Sequence, residues 1–212
     1  MKYIRIAFLI FIFSFVELRG QEFYLSGGMG LNYVTMEKLN DYLHYNWNFN
    51  NRRDDSHSEI EFFALAGTNI TTNFSLETSF GLSINSFSNN YGIGIYQLEY
   101  VFYYPEINFL YTLRYPFYGF QFGFGVGYIL GAVDEMQPGT VQKFTEETKG
   151  MSFQIKSVMY TALSSQLYVD IGLNYRMAFL NDLSMMINRQ PYENLNLSFN
   201  SFGIKLGMRY QL

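Results

Sequence analysis

Residues 118–130 read Tyr-Gly-Phe-Gln-Phe-Gly-Phe-Gly-Val-Gly-Tyr-Ile-Leu, and they alternate two kinds of surface. Tyr118, Phe120, Phe122, Phe124, Val126, Tyr128 and Leu130 fall on one face of an extended chain, because successive strand side chains point to opposite sides of a sheet. Gly119, Gln121, Gly123, Gly125, Gly127 and Ile129 fall on the other. In a soluble sandwich the aromatic face would need a second apolar sheet. In a membrane barrel lipid covers it, and the glycine face turns to a lumen crowded by neighbouring strands. The stretch predicts a transmembrane β-strand.

The same period recurs on both sides. Strands are expected at about 23–34, 59–70 and 74–87, with Phe74, Leu76, Thr78, Phe80, Leu82 and Ile84 facing outward in the third. Others are expected at 150–161, 167–180 and 198–212. Residues 95–115 break the simple pattern. Tyr96, Leu98, Tyr100, Phe102 and Tyr104 share one parity, whereas Ile107, Phe109, Tyr111 and Leu113 share the other. With every apolar residue placed outward, the parity must flip at Pro105-Glu106, where an extra residue could form a bulge. One long bulged strand is therefore expected, and two short strands are the alternative. Polar connections are expected at 88–94, 133–149 and 181–196, while 35–57 carries Met36, Leu39, Tyr42 and Leu43 on one helical stripe. Long and short connections alternate, which favours an even number of strands, and eight fits. The expected fold is all-β: an antiparallel up-and-down transmembrane barrel with a short helix in its first long loop.

Composition agrees. The chain of 212 residues is 49% hydrophobic, yet after residue 20 no stretch is long and apolar enough for a membrane helix, so the apolar residues are spent on strands. Charged residues make up only 15%, which suits a surface facing lipid. Cysteine is absent, which excludes thiol catalysis and cysteine-ligated metal. At the N-terminus a basic Met1–Arg5, an apolar core at 6–16 and a small Gly20 have the layout of a secretory signal peptide. Residues 1–20 are expected to be a cleaved leader and 21–212 the barrel. Removing Lys2, Arg5 and Arg19 together with Glu17 leaves 11 basic and 17 acidic residues, a net charge of −6. That balance argues against nucleic acid as a partner.

On strand pattern, loop asymmetry and the closing run Phe202, Ile204, Leu206, Met208 and Tyr210, the chain resembles the small eight-stranded outer-membrane barrels of the OmpA and OmpX type. The resemblance covers the mature chain. It implies residence in a Gram-negative-type outer membrane, contact with its lipid, insertion by the barrel-assembly machinery and a monomeric state. This chain ends in Leu212 rather than an aromatic, so it matches that family's assembly signal in part.

Inward positions carry charge of both signs. Glu61, Glu77, Glu99 and Asp170, with Glu59 and Glu106, face Arg114, Lys156, Arg176, Lys205 and Arg209 in an expected lumen network, since an isolated buried ion is very costly. The structural reading is a paired network that holds the barrel shut; the alternative is a narrow ion or small-solute path. The two histidines, His44 and His57, lie in the first loop, the second within Asp54-Asp55-Ser56-His57-Ser58-Glu59. A lipid-modifying hydrolase would need such groups fixed on the barrel wall. Adjacent in a loop, they make no catalytic set, and no catalytic residue, metal ligand or cofactor is assigned. Tyr42, Tyr45, Trp47 and Phe49 make the same loop aromatic, either as packing over the mouth or as a surface-binding patch. The expected function is a non-enzymatic barrel serving envelope structure or surface interaction through four outward loops.

Overall fold

The computed structural model describes residues 22–47, 58–91, 94–140, 143–183, 186–187, 190–191 and 195–212. The expected leader, His57 and Phe49 lie outside them, as do the side chains of Leu43, His44, Tyr45 and Trp47. Barrel strands are β1 (Phe23–Thr35), β2 (Ser58–Asn69), β3 (Phe74–Tyr91), β4 (Gly94–Arg114), β5 (Tyr118–Met136), β6 (Lys143–Ala162), β7 (Leu167–Leu180) and β12 (Phe199–Gln211). Each is antiparallel to its neighbours, and β12 closes the ring onto β1. Helix α1 (Glu37–Trp47) follows β1. Between β7 and β12 the chain forms two small ribbons, β8 (Asp182–Leu183) with β11 (Leu195–Asn196) and β9 (Met186–Ile187) with β10 (Gln190–Pro191).

Every ladder keeps a single register. A path across the strands from Tyr24 passes Gly67, Glu77, Asn108, Gly125, Gln154, Arg176 and Ser201, and returns to β1 at Val34, ten residues on. A stagger of ten residues over eight strands, with a rise of about 3.3 Å and a spacing of about 4.8 Å, tilts the strands about 40°. The outward residues Tyr118 to Leu130 cover twelve rises, about 40 Å along the strand, so at that tilt the apolar belt is about 30 Å tall. That matches the hydrocarbon core. The belt residues are exposed as lipid contact requires, with Phe124 at 58%, Leu173 at 47% and Leu206 at 56%.

Strand β4 corrects the expected bulge. Its ladders with β3 and β5 keep one register past Pro105, and only the pairs of Tyr104 and Pro105 drop out on the β5 side, where proline has no N–H to give. With no extra residue the parity cannot flip. Tyr96, Leu98, Tyr100, Phe102 and Tyr104 therefore point inward and are buried, and Tyr103, Pro105, Ile107 and Phe109 point out. Tyr96 and Tyr104 thereby leave the outer surface, whereas Tyr33, Tyr118, Tyr128 and Tyr210 are exposed and suit the aromatic girdles of a membrane barrel. The expected polar connections at 88–94 and 133–149 are also largely strand, since β3 to β6 run several residues past the belt as a four-stranded extension.

Candidate functional site

The inside of the barrel has two layers. Nearer the short turns lies an ionic layer whose hub is Arg176 on β7, fully buried. Its Nε is 3.0 Å from Glu106 Oε1 on β4 and its Nη1 is 3.1 Å from Glu61 Oε2 on β2. Reaching across from β7, one planar guanidinium thus joins two carboxylates on the strands either side of β3, with its carbon 4.1 Å from the centre of the Tyr104 ring. Lys205 Nζ adds a contact of 2.6 Å to Glu61 Oε1. Asn32 donates to Glu61 at 2.8 Å, and Gln154 donates to Glu106 at 2.7 Å.

A second cluster sits nearer the short-turn mouth. Arg209 Nε is 3.1 Å from Asp170 Oδ2, its Nη2 donates to Gln121 at 2.7 Å, and its guanidinium lies between the rings of Tyr24 and Tyr160. Lys156 pairs with Glu77, which also accepts the Tyr24 hydroxyl at 2.8 Å. The two clusters consume most of the interior. The cavity between them, lined by Glu61, Gln154, Lys156, Asp170, Asn174 and Lys205 among others, measures about 40 Å³. At ~10–15 Å³ per water that is room for about three molecules, far short of a continuous pore. Gly125 shows how full the space is: a Cβ there would meet Asn108 Oδ1 at 2.0 Å.

Beyond Arg176, toward the long loops, the interior turns apolar. Tyr100, Phe102, Ile129, Val133, Leu180, Leu197 and Phe199 pack together, and Met36, just before α1, and Leu39 and Tyr42 within it lie onto them. Phe102 stacks on Phe199 with ring centres 5.6 Å apart. Among the described residues, one carboxylate stands in this layer. Glu135, on β5 past the belt, accepts the hydroxyls of Tyr42 at 2.8 Å and Tyr96 at 2.9 Å, both on Oε1. Burial pushes its carboxyl above the ordinary value, and the bonds from Tyr42, Tyr96 and Gln137 offset only part of that. Tyr42 is thus a tie between cap and wall.

Of the eleven expected network residues, the structure brings Glu59, Glu61, Glu77, Glu106, Lys156, Asp170, Arg176, Lys205 and Arg209 together in the lumen, while Arg114 pairs instead with Glu22 at 2.6 Å at the short-turn end, partly exposed. Glu99 is a correction. With Tyr100 inward it must point outward, where it pairs with Lys143 at 2.9 Å on the outer face of the extension. That bond holds the Glu99 carboxyl below its ordinary range. Asp134, bonded to Thr145 and Lys143, is lowered too, and both partners raise Lys143. In the expected aromatic patch, Tyr42 is buried rather than presented. The residues that sequence reading missed are the inward polar partners Gln121, Gln154 and Asn32, and Glu135, assigned to a loop. A single polar residue among inward glycines, as with Gln121 within 119–127, is the signal that could have found the first of these.

A closed, narrow barrel with a lipid-facing belt and a filled interior defines the class: the fold is that of the small outer-membrane β-barrels. Among solved structures it is similar to Ail, the attachment invasion locus protein of Yersinia pestis, seen in complex with the heparin analogue sucrose octasulfate, at 10% identity and a TM-score of 0.55 over 91% of this chain and 99% of that one. Neisserial surface protein A is similar at 10% identity and 0.53 over 90% and 97%, and the outer membrane protease OmpT from Escherichia coli at 9% and 0.50 over 91% and 96%. No family model matches the chain, and no curated protein matches it in sequence.

Proposed function

We propose that the chain is a non-enzymatic, non-conducting barrel of the Gram-negative outer membrane, exported through a leader at residues 1–20 and working through its long-loop end. The observation that carries this is the double closure of the lumen, ion pairs below and an α1-covered apolar layer above. Such an interior leaves the outward surface as the working part. There the extension of β3 to β6 carries an outer polar face of Glu99, Asp134, Lys143 and Glu147. The role is structural support of the envelope or surface interaction, as a monomer seated in outer-membrane lipid after delivery by the assembly machinery.

Planar-bilayer recording tests the reading. Purified, refolded protein should insert without a steady conductance. A large, lasting current would replace this function with that of a pore.

A further inference from the structure

The short-turn mouth holds a second cavity, of about 170 Å³, lined by Arg114, Arg209, Gln121, Tyr24, Tyr160 and Tyr168 among others. Register builds its wall. Arg114 on β4 pairs with Gly119 on β5, and Gly119 pairs with Tyr160 on β6. The Tyr160 ring lies over Gly119, in the place a Cβ would take. Arg209 sits on the same ring, its guanidinium carbon 4.5 Å from the ring centre, and Tyr168 meets Tyr160 edge to face at 5.8 Å.

This cavity already holds a carboxylate. Glu22, the residue before β1, is part of its lining, and one oxygen, Oε2, accepts from Arg114 Nη1 at 2.6 Å and from Asn69 Nδ2 at 3.0 Å. The engagement is partial. Oε1 accepts no hydrogen bond among the described residues, and Arg114 spends one donor of a fork whose geometry matches both oxygens of a carboxylate. The side chains of Arg114 and Glu22 are 34% and 48% exposed, so their pair is worth little and exchanges readily. Arg209 differs, because it is buried with Nε on Asp170 and Nη2 on Gln121. If Glu22 swings out to solvent, Arg114 and Arg209 face Asp170 alone, since Glu77 deeper in is matched by Lys156. One negative charge then completes the count.

We propose that the short-turn mouth binds the carboxylate of a short peptide, and that the Glu22 side chain is its built-in stand-in. The incoming carboxylate takes the Arg114 fork with both oxygens and keeps the Asn69 donor. Its stem lies along the rings of Tyr160 and Tyr168, which suit an amphipathic ligand better than a bare inorganic anion. Gln211, which also lines the space, brings the amide donor and acceptor that a peptide group needs.

Nuclear magnetic resonance of the protein, purified from membranes into lipid nanodiscs, tests the site through the amide signals of Gly119 and Gln121. Acetyl-Gly-Phe with a free carboxylate should shift them, and the same peptide carrying a C-terminal amide should not. Glu22→Gln should tighten binding of the acid by up to about fivefold, the factor that an exposed ion pair at the top of its usual range represents. Arg114→Ala should weaken it by about tenfold or more, as the loss of a charged hydrogen bond does. Acid and amide peptides that shift the signals alike overturn the proposal, and so does an affinity that Glu22→Gln leaves unchanged. Acetate acting at the same concentrations as the peptide acid overturns it too, because the mouth then takes any small anion. Should Arg114→Ala not fold, the comparison of acid with amide on the unaltered protein decides.

Discussion

Arg176 and Phe102 look into the same lumen from β7 and β4, yet one is held by two carboxylates and the other by stacked rings. The half around Arg176 is enclosed by strands alone, so its inward residues must satisfy one another, and charge meets charge. The half around Phe102 has a lid. Helix α1 and the residue before it supply Leu39, Tyr42 and Met36 from outside the sheet, and an inward aromatic becomes as favourable there as a core residue of a soluble protein. Inward-facing is thus two environments in this barrel, and what separates them is whether a connection folds back into the mouth.

The contrast can be broken from either side. The largest effect is expected from Arg176→Ala, which leaves Glu61 and Glu106 buried without their shared partner and should cost about 3–5 kcal/mol; urea unfolding in lipid vesicles measures it. Phe102→Ala should cost about 3 kcal/mol through lost burial and a cavity, with no dependence on salt. If added salt rescued it, the apolar layer would be wet. Tyr42→Phe removes one hydroxyl from Glu135 and should cost about 1 kcal/mol, seen as faster hydrogen exchange in α1 while barrel strands are unchanged.

The Glu135 carboxyl sharpens the comparison further. Its value is raised in the folded protein, so the folded state holds the proton more tightly. The resulting stability is fully present below the ordinary carboxylate range, about 4.3, and is lost as pH rises through the raised value. Measured against pH, the unaltered protein should lose stability relative to Glu135→Gln, which stays neutral throughout. A constant difference would show that burial does not govern this group. The smallest effect belongs to Pro105→Ala, which returns an N–H to the β4–β5 ladder and should add at most about 1 kcal/mol, read as slower exchange at the neighbouring pairs.

Much of this was legible because the period of a strand is rigid. Tyr118 to Leu130 faces lipid as its alternation requires, and β7 begins and ends at Leu167 and Leu180, where its pattern begins and ends. The ionic layer followed from the same parity. What the sequence hid was the cover. Tyr96 to Tyr104 satisfy an outward and an inward reading equally well, and only the unbroken register of β4 with an apolar lid above it selects inward. Glu99 moved with them. The strands past the belt were hidden for a related reason. Out of lipid an alternation such as Lys143 to Lys149 loses its apolar half, so hydrogen bonding to β5 is the only mark of strand left.

Thiol labelling in liposomes reads whether the long-loop half of the lumen is a dry, capped core, because the chain has no cysteine of its own. Single cysteines at Phe102, inside, and at Asp134, on the outer face of the extension, would be offered a charged, water-soluble maleimide. The cysteine at 134 should react rapidly, and the one at 102 should stay unlabelled until the barrel is unfolded. Equal labelling of both in the folded protein would contradict it.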